Sequence, residues 1–263
     1  MVSVVIKSVL RNVMTRRRFY AAPGAFASHP GNLTLASDES RHLRDVLRLQ
    51  PGDEIYAFDG EGREFHCTIN EINRDSAQLK VIAEVEPARS ESPLELTLAV
   101  ALLKGEKFDL VVQKATELGV THIVPVTTKL ADVHLRDESD KSKRVARWQK
   151  IAIEAAKQSG RAVVPKVAKP MAFRSVIQTT TQSRLMFSER DGQSLAELQK
   201  SFFQRPLSIT AAVGSEGGWT DEEIAEAREA HWTIITLGGR TLRAETAAIA
   251  VTVLLQHAFG DLV

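Results

Sequence analysis

Glu216, Arg240, Arg243 and Glu245 sit among glycines in the last quarter of the chain, in a pattern suited to holding a flat, charged small molecule. They belong to two loops. One is Val213-Gly214-Ser215-Glu216-Gly217-Gly218-Trp219-Thr220, and the other is Leu237-Gly238-Gly239-Arg240-Thr241-Leu242-Arg243-Ala244-Glu245-Thr246. Each follows a strand-like apolar run and leads into a helix-like one. A glycine where a strand turns into a helix lets the backbone itself approach a ligand, because no Cβ stands in the way. The second loop is longer and more charged than a plain strand–helix connection of ~2–6 residues needs to be.

Thr220-Asp221-Glu222-Glu223 reads as a capping box, with Thr220 as N-cap and Glu223 reaching back. Gly214 to Trp219 therefore sits at a helix N-terminus, where free N–H groups favour acceptors or anions. A phosphate-binding Walker loop needs a Lys-Ser/Thr pair after its last glycine, and none is present. A nucleophile elbow needs Gly-x-Ser-x-Gly, whereas Ser215 directly follows Gly214. The dinucleotide fingerprint Gly-x-Gly-x-x-Gly is also absent.

The elements that must position these loops alternate. Leu94 to Leu103 is a buried-strand run. Lys107 to Leu118 has helical spacing and stops at Gly119. Val120–Val126 reads as a strand and Asp140–Ser159 as a long basic helix. Strands over 184–187, 207–213 and 233–237 alternate with helices near 194–203 and 221–230. This order predicts a mostly parallel sheet with helices on both faces. The closing helix, Glu245–Phe259, is apolar nearly all round and is expected to be buried on more than one side. Before residue 87 the pattern differs. Ser37-Asp38-Glu39-Ser40 starts a helix whose apolar positions are Leu43, Val46 and Leu47. Strands follow over 55–58, 64–72 and 78–85, separated by turns at Asp59-Gly60-Glu61-Gly62 and Asn73-Arg74-Asp75-Ser76. That reads as a small β-barrel. The boundaries expected are an N-terminal extension at 1–15, a β-barrel domain at 16–87, a linker at 88–93 and an α/β domain at 94–263.

At 263 residues, 43% hydrophobic and 25% charged, the composition is that of a soluble globular protein. No apolar run approaches the ~20 residues that span a bilayer. The lone Cys67 excludes an intramolecular disulfide and a zinc site built on paired cysteines, and it suits a reducing compartment such as the cytoplasm. The seven histidines show no metal-ligand spacing. Net charge is only +1, but residues 141–174 hold ten lysines and arginines against one acid, Glu154. Residues 1–37 hold Lys7, Arg11, Arg16, Arg17 and Arg18 and no acid. Such one-sided segments point to a polyanion, with nucleic acid the obvious partner.

The two glycine loops resemble the signature loops of the RsmE-like 16S rRNA uracil-N3 methyltransferases, within the SPOUT (trefoil-knot) superfamily. The likeness runs from about residue 17 to 258. Arg17-Arg18-Phe19-Tyr20, His42-Leu43, Val46-Leu47-Arg48, Pro51-Gly52-Asp53 and Phe58-Asp59-Gly60 are similar to that family's PUA-like N-domain. Leu102-Leu103-Lys104-Gly105, Lys107, Gln113–Val120, Arg147-Trp148 and Gln158-Ser159-Gly160-Arg161 are similar to its catalytic domain. The resemblance implies an α/β trefoil-knot catalytic domain with a small PUA-like β-barrel before it, and no metal. It implies S-adenosylmethionine lined by Gly214, Glu216, Gly217, Leu237, Gly238, Leu242 and Ala247. It implies methylation of N3 of a specific uridine (the uridine-1498 type position) in 16S rRNA of the small ribosomal subunit. Arg243 would stabilise the uracil anion, with Glu245 or Glu216 orienting it or acting as base. Arg17, Arg18, Arg44, Arg48, Lys104, Lys107, Arg147, Gln158 and Arg161 would clamp RNA, and a homodimer is expected. Ser215 stands where the family has proline and is expected to loosen that turn. Gly239 and Thr241 replace bulkier or more rigid residues in the second loop. The rival readings are a SPOUT enzyme for another RNA site, a non-catalytic rRNA-binding assembly factor, and a nucleotide-binding enzyme indifferent to RNA.

Overall fold

The computed structural model describes residues 16–26, 31–133 and 135–262. The basic extension read at 1–15 lies outside the described residues. The chain divides into two compact units. One takes the chain through Glu91 together with Ala156–Val164, and the other takes Ser92–Ala155 and Pro165 onward.

The first unit is built on a five-stranded sheet. Its strands are β1 (Arg18–Tyr20), β2 (Asn32–Leu35), β3 (Glu54–Phe58), β4 (Glu64–Ile72) and β5 (Ala77–Val85), in the order β1-β3-β4-β5-β2. Only β1 and β3 run parallel. The sheet curls into a half-barrel, helped by register shifts between His66/Cys67 and Ile69/Glu71 in the β4–β5 ladder. Alternation decides its core: Ile55 and Ala57 of β3 and Phe65, Cys67 and Ile69 of β4 point inward with Phe19, Leu33, Leu43 and Leu79. A short helix α1 (Ser37–Arg41) widens into a π-type turn, His42–Val46. Leu43 is buried as its spacing requires, but Val46 and Leu47 are exposed. The widened turn rotates them off the apolar stripe, and Arg48 leaves it at φ 54°.

The second unit holds the long parallel sheet. Its elements are β6 (Glu95–Ala101), α2 (Lys107–Glu117), β7 (His122–Thr127), most of α3 (Glu138–Ser159), β8 (Lys166–Val167), β9 (Met171–Ala172) and α4 (Phe173–Ile177). After them come β10 (Ser183–Phe187), α5 (Leu195–Ser201), β11 (Ser208–Val213), α6 (Asp221–Glu229), β12 (Thr233–Ile235) and α7 (Ala244–Phe259). The strand order is β12-β10-β11-β6-β7-β8, with β9 also on β7, and every pairing is parallel. A central strand of such a sheet is covered on both faces, which is why β6 and β11 end in the apolar runs 98–101 and 211–213. The α7 helix packs on α2, β6 and β11. It buries Ala248, Val251, Leu255 and Phe259 at helical spacing and leaves Val253 38% exposed.

The last turn of α3 and the residues to Val164 belong to the first unit, where Ala156, Ala162 and Val164 pack with Tyr20 and Phe58. The Arg18 guanidinium donates to the α3 carbonyls of Ala156 and Lys157 at 3.2 and 3.1 Å, to Arg161 O at 2.9 Å, and to Glu64. It thereby adds donors at the helix end, where Ala156 O also accepts from Arg161 N at 3.0 Å.

Candidate active site

Parallel strands present their carboxyl ends along one edge, where α/β proteins place their sites. The ends of β10, β11 and β12 lie side by side there. Their loops, with the start of α7, enclose a cavity of about 490 Å³. Phe187, Val213, Trp219, Leu237 and Val251 give it apolar walls. The Trp219 indole donates to Phe187 O at 2.9 Å and so ties the β11 loop to the end of β10. Gly238 and Gly239 both lie at positive φ, +73° and +74°, a conformation that costs a side chain dearly. Among the described residues, the N–H groups of Leu237, Gly238 and Leu242 have no partner within the chain, and all three residues line the cavity.

Of the residues expected to hold a cofactor, Gly214, Glu216, Leu237, Gly238, Leu242 and Ala247 line this cavity. Gly217 does not. It backs the loop, where a Cβ would come within 2.9 Å of Leu130 Cβ. The capping box at Thr220 and Glu223 forms as read. Glu223 also accepts from Lys129 N at 2.9 Å, which fixes the segment after β7 beside the loop. Ser215 differs from expectation. It is 6% exposed, and its hydroxyl donates to Leu130 O at 3.0 Å while its carbonyl accepts from Gly218 N at 2.9 Å. The turn is anchored here by the hydroxyl.

The expected catalytic residues divide by position. Arg243 and Glu216 line the cavity, and Glu245 does not. Lys107, from the first turn of α2, also lines it. Its ammonium lies 2.7 Å from Glu216 Oε1 and 3.9 Å from Glu245 Oε2. That Glu245 oxygen is buried without a hydrogen bond. Burial pushes the Glu216 carboxyl up, but the Lys107 ammonium and backbone donors outweigh it and hold the group below its ordinary value. Arg240 and Arg243 are exposed at the rim, and among the described residues their guanidiniums have no partner.

The sequence reading missed the third loop. Phe187, Ser188, Glu189 and Arg190 all line the cavity, and Arg190 donates to Trp219 O at 3.2 Å and to Asp221 at 2.5 Å. The signal was available, because the strand over 184–187 was legible and ligands gather at strand carboxyl ends.

The residues expected to clamp RNA are placed unevenly. Arg17, Arg48 and Gln158 are exposed. Arg44 is chelated by Asp45 and donates to Asn73 O and Arg74 O. Lys104 pairs with Asp132, and Arg147 with Asp109 and Glu106. Arg18 and Arg161 are only 7% and 5% exposed, with their guanidiniums committed to the fold. Arg161 donates twice to Glu91, at 2.9 and 2.7 Å. Both guanidiniums are turned into the protein in this structure. The basic run 141–174 is tempered in the same way, since Lys141, Arg144, Lys157 and Arg174 also make ion pairs. Among the described residues no cluster of three His, Cys, Asp or Glu could hold a metal ion, and no helix is long and apolar enough to cross a membrane.

A parallel sheet with glycine loops at its carboxyl edge and a closing helix returning across β11 and β6 defines the SPOUT class of methyltransferase domain. The family model described as an RNA methyltransferase domain matches residues 90–256, and one described as an RNA methyltransferase PUA domain matches 35–82. Ribosomal RNA small subunit methyltransferase E of Synechocystis is 36% identical over 82% of this chain and 69% of its own length. Its namesake in Bacillus subtilis is 31% identical, over 82% and 86%. Among solved structures, a methyltransferase of Legionella pneumophila in complex with S-adenosylmethionine superposes with a TM-score of 0.85 at 30% identity, covering 94% of this chain and 99% of that one. Ribosomal RNA small subunit methyltransferase E of Neisseria gonorrhoeae, bound to S-adenosylmethionine, gives 0.82 at 32% identity, covering 94% and 100%. The chain belongs to the ribosomal RNA small subunit methyltransferase E family.

Proposed function

We propose that this chain binds S-adenosylmethionine in the cavity and methylates N3 of a specific uridine, the uridine-1498 type position, in 16S rRNA of the small ribosomal subunit. The observation that carries the reading is the cavity's construction: glycine loops with unpaired backbone N–H groups below a rim of two unpaired guanidiniums. Relatives named for small-subunit rRNA methylation, and two neighbours solved with the cofactor, support it. The residues present fit the group. Backbone N–H groups at Leu237, Gly238 and Leu242 match the edge of an adenine, and the side chains of Leu237 and Leu242 match its faces. When bound, the cofactor supplies a methyl group activated on a sulfonium.

Uracil N3 carries a proton at neutral pH and lies on the pairing edge, so the base must be unpaired and turned into the site. Arg243 stabilises the negative charge that develops on the uracil, and the cavity holds N3 in line with the methyl. Arg17, Arg44, Arg48, Lys104, Arg147 and Gln158 remain the candidates for RNA phosphates, with strongly salt-dependent binding as the consequence. We further propose a homodimer through the exposed side of α7, where Ala250, Val253 and Leu254 form an apolar strip. A ribosomal substrate puts this work in the cytoplasm.

The test is transfer of labelled methyl from S-adenosylmethionine to small subunits lacking the modification, followed by nucleoside mass analysis. 3-Methyluridine is the expected product. Transfer to another nucleoside would move the reading to another RNA site, and absence of cofactor binding would leave an RNA-binding protein without catalysis.

A further inference from the structure

Lys107 reaches the cavity from a different element than either glycine loop, 109 positions before Glu216. It is one-third exposed and held between carboxylates from both site loops, Glu216 at 2.7 Å and Glu245 at 3.9 Å. Glu216 already carries an ion pair and is held below the ordinary carboxyl range, which makes it a poor base for an N–H acid as weak as an imide. Glu245 stands outside the cavity lining, with its buried oxygen toward Lys107. Glu216 faces the cavity with its charge engaged by Lys107, and Glu245 stands behind the lining. Both are placed to hold an ammonium at its wall.

We infer that Lys107 is the cation that meets a carbonyl oxygen beside uracil N3 as the N3 proton leaves, and that Glu216 and Glu245 are its positioning residues. The inference rests on the uridine-N3 reading above. The proton passes to water at the cavity mouth. The lone pair left on N3 forms the new N–C bond as the S–C bond of the methyl donor breaks, with its electron pair staying on sulfur. An ammonium against the carbonyl strengthens the imide as an acid, because it favours the anion over the neutral base. Lys107 acts from the wall and Arg243 from the rim. Arg240, Arg190 and Glu189 complete the charged lining.

The experiment replaces the target uridine with 5-fluorouridine in a short small-subunit RNA. Fluorine makes the imide more acidic, and its NMR resonance reports ionisation. Bound to cofactor-free protein, the imide is expected to ionise at lower pH with the wild type than with Lys107→Met or Lys107→Gln. Lys107→Arg keeps most of that difference. Single-turnover methyl transfer to ordinary uridine is expected to fall by about 100-fold in Lys107→Met, the usual effect of losing one preorganised electrostatic partner. The loss is expected to be much smaller on the 5-fluorouridine RNA. Circular dichroism and thermal denaturation, expected to match the wild type, show that the variants are folded, and methyl transfer is compared at saturating cofactor. Identical imide titrations in wild type and both charge-removing variants would overturn the inference, as would equal loss on both RNAs with a weaker salt dependence of RNA binding. If the wild type makes no 3-methyluridine at all, the N3 reading fails first and separately.

Discussion

The Ser215 hydroxyl donates to the Leu130 carbonyl at 3.0 Å, joining the β11 loop to the segment after β7 across 85 positions of sequence. Ser215→Ala removes this part-buried hydrogen bond, which costs about 1 kcal/mol. The loop it steadies lines the cavity, so S-adenosylmethionine affinity is expected to weaken by roughly fivefold, the equivalent of that energy. Calorimetric titration of the variant checks this. Unchanged affinity would mean that Gly217, packed under Leu130, fixes the loop alone.

Arg18 and Glu64 form a buried ion pair with two guanidinium nitrogens on one carboxylate oxygen, at 3.2 and 3.0 Å. Removing Arg18 leaves the buried Glu64 carboxylate with Arg16, at 3.0 Å, and Ala88 N alone, and takes a donor from three carbonyls. Arg18→Met is expected to destabilise the first unit by about 3–5 kcal/mol. Thermal denaturation measures this. Arg17→Ala, one residue away and exposed, should leave the melting temperature unmoved and reduce the salt slope of RNA binding by about one.

The lowered carboxyl of Glu216 gives a pH dependence with a definite sign. A group whose folded pKa lies below its unfolded value contributes stability at and above the ordinary value, near 4.5, and loses it as pH falls through the folded pKa. The wild-type advantage over Glu216→Gln in cofactor affinity should therefore be present at pH 6–7 and fade below about pH 4.5. An advantage that persists unchanged in acid would show that charge on Glu216 is irrelevant to the loop. The group is partly exposed, so salt should weaken the effect.

Burial pushes the Cys67 thiol up to about 12. Thiolate is the reactive form, so native protein at pH 8 is expected to resist alkylation, and denatured protein to label at one site. Mass analysis after timed exposure to iodoacetamide reads this. Rapid labelling of the folded chain would mean that the half-barrel opens readily.

Val253→Glu places a charge in the apolar strip of α7 without touching the buried side of that helix. If the strip is the dimer surface, sedimentation should show a monomer with an unchanged melting profile for the isolated chain. A dimer that survives the substitution would move the interface elsewhere.

Much of this was legible beforehand, for physical reasons. The strands at 64–72 and 183–187 and the helix at 107–117 follow from periodicity, since burial on one or both faces leaves a pattern of two, of 3.6 or of none. Thr220 and Glu223 were legible because a capping box is a local interaction. The contacts of Lys107 were not legible, because its carboxylate partners lie more than 100 positions away and nothing local records them. Sequence alone does not distinguish the buried guanidiniums of Arg18 and Arg161 from the exposed one of Arg17. Val46 and Leu47 were assigned inward on an assumption of 3.6 residues per turn, which the π-type turn breaks.

The half-barrel unit is completed by Ala156–Val164, which arrive only after the chain has passed through β6, α2, β7 and most of α3. During synthesis from the N-terminus, Phe58 lacks Ala156 and Ala162 as neighbours, and Arg18 lacks three of its carbonyl acceptors, until those residues leave the ribosomal tunnel. A gene fragment ending at the linker would therefore encode an unfinished domain, and the nascent chain holds the first unit open for some 70 further residues, about 4–14 seconds at bacterial rates of translation.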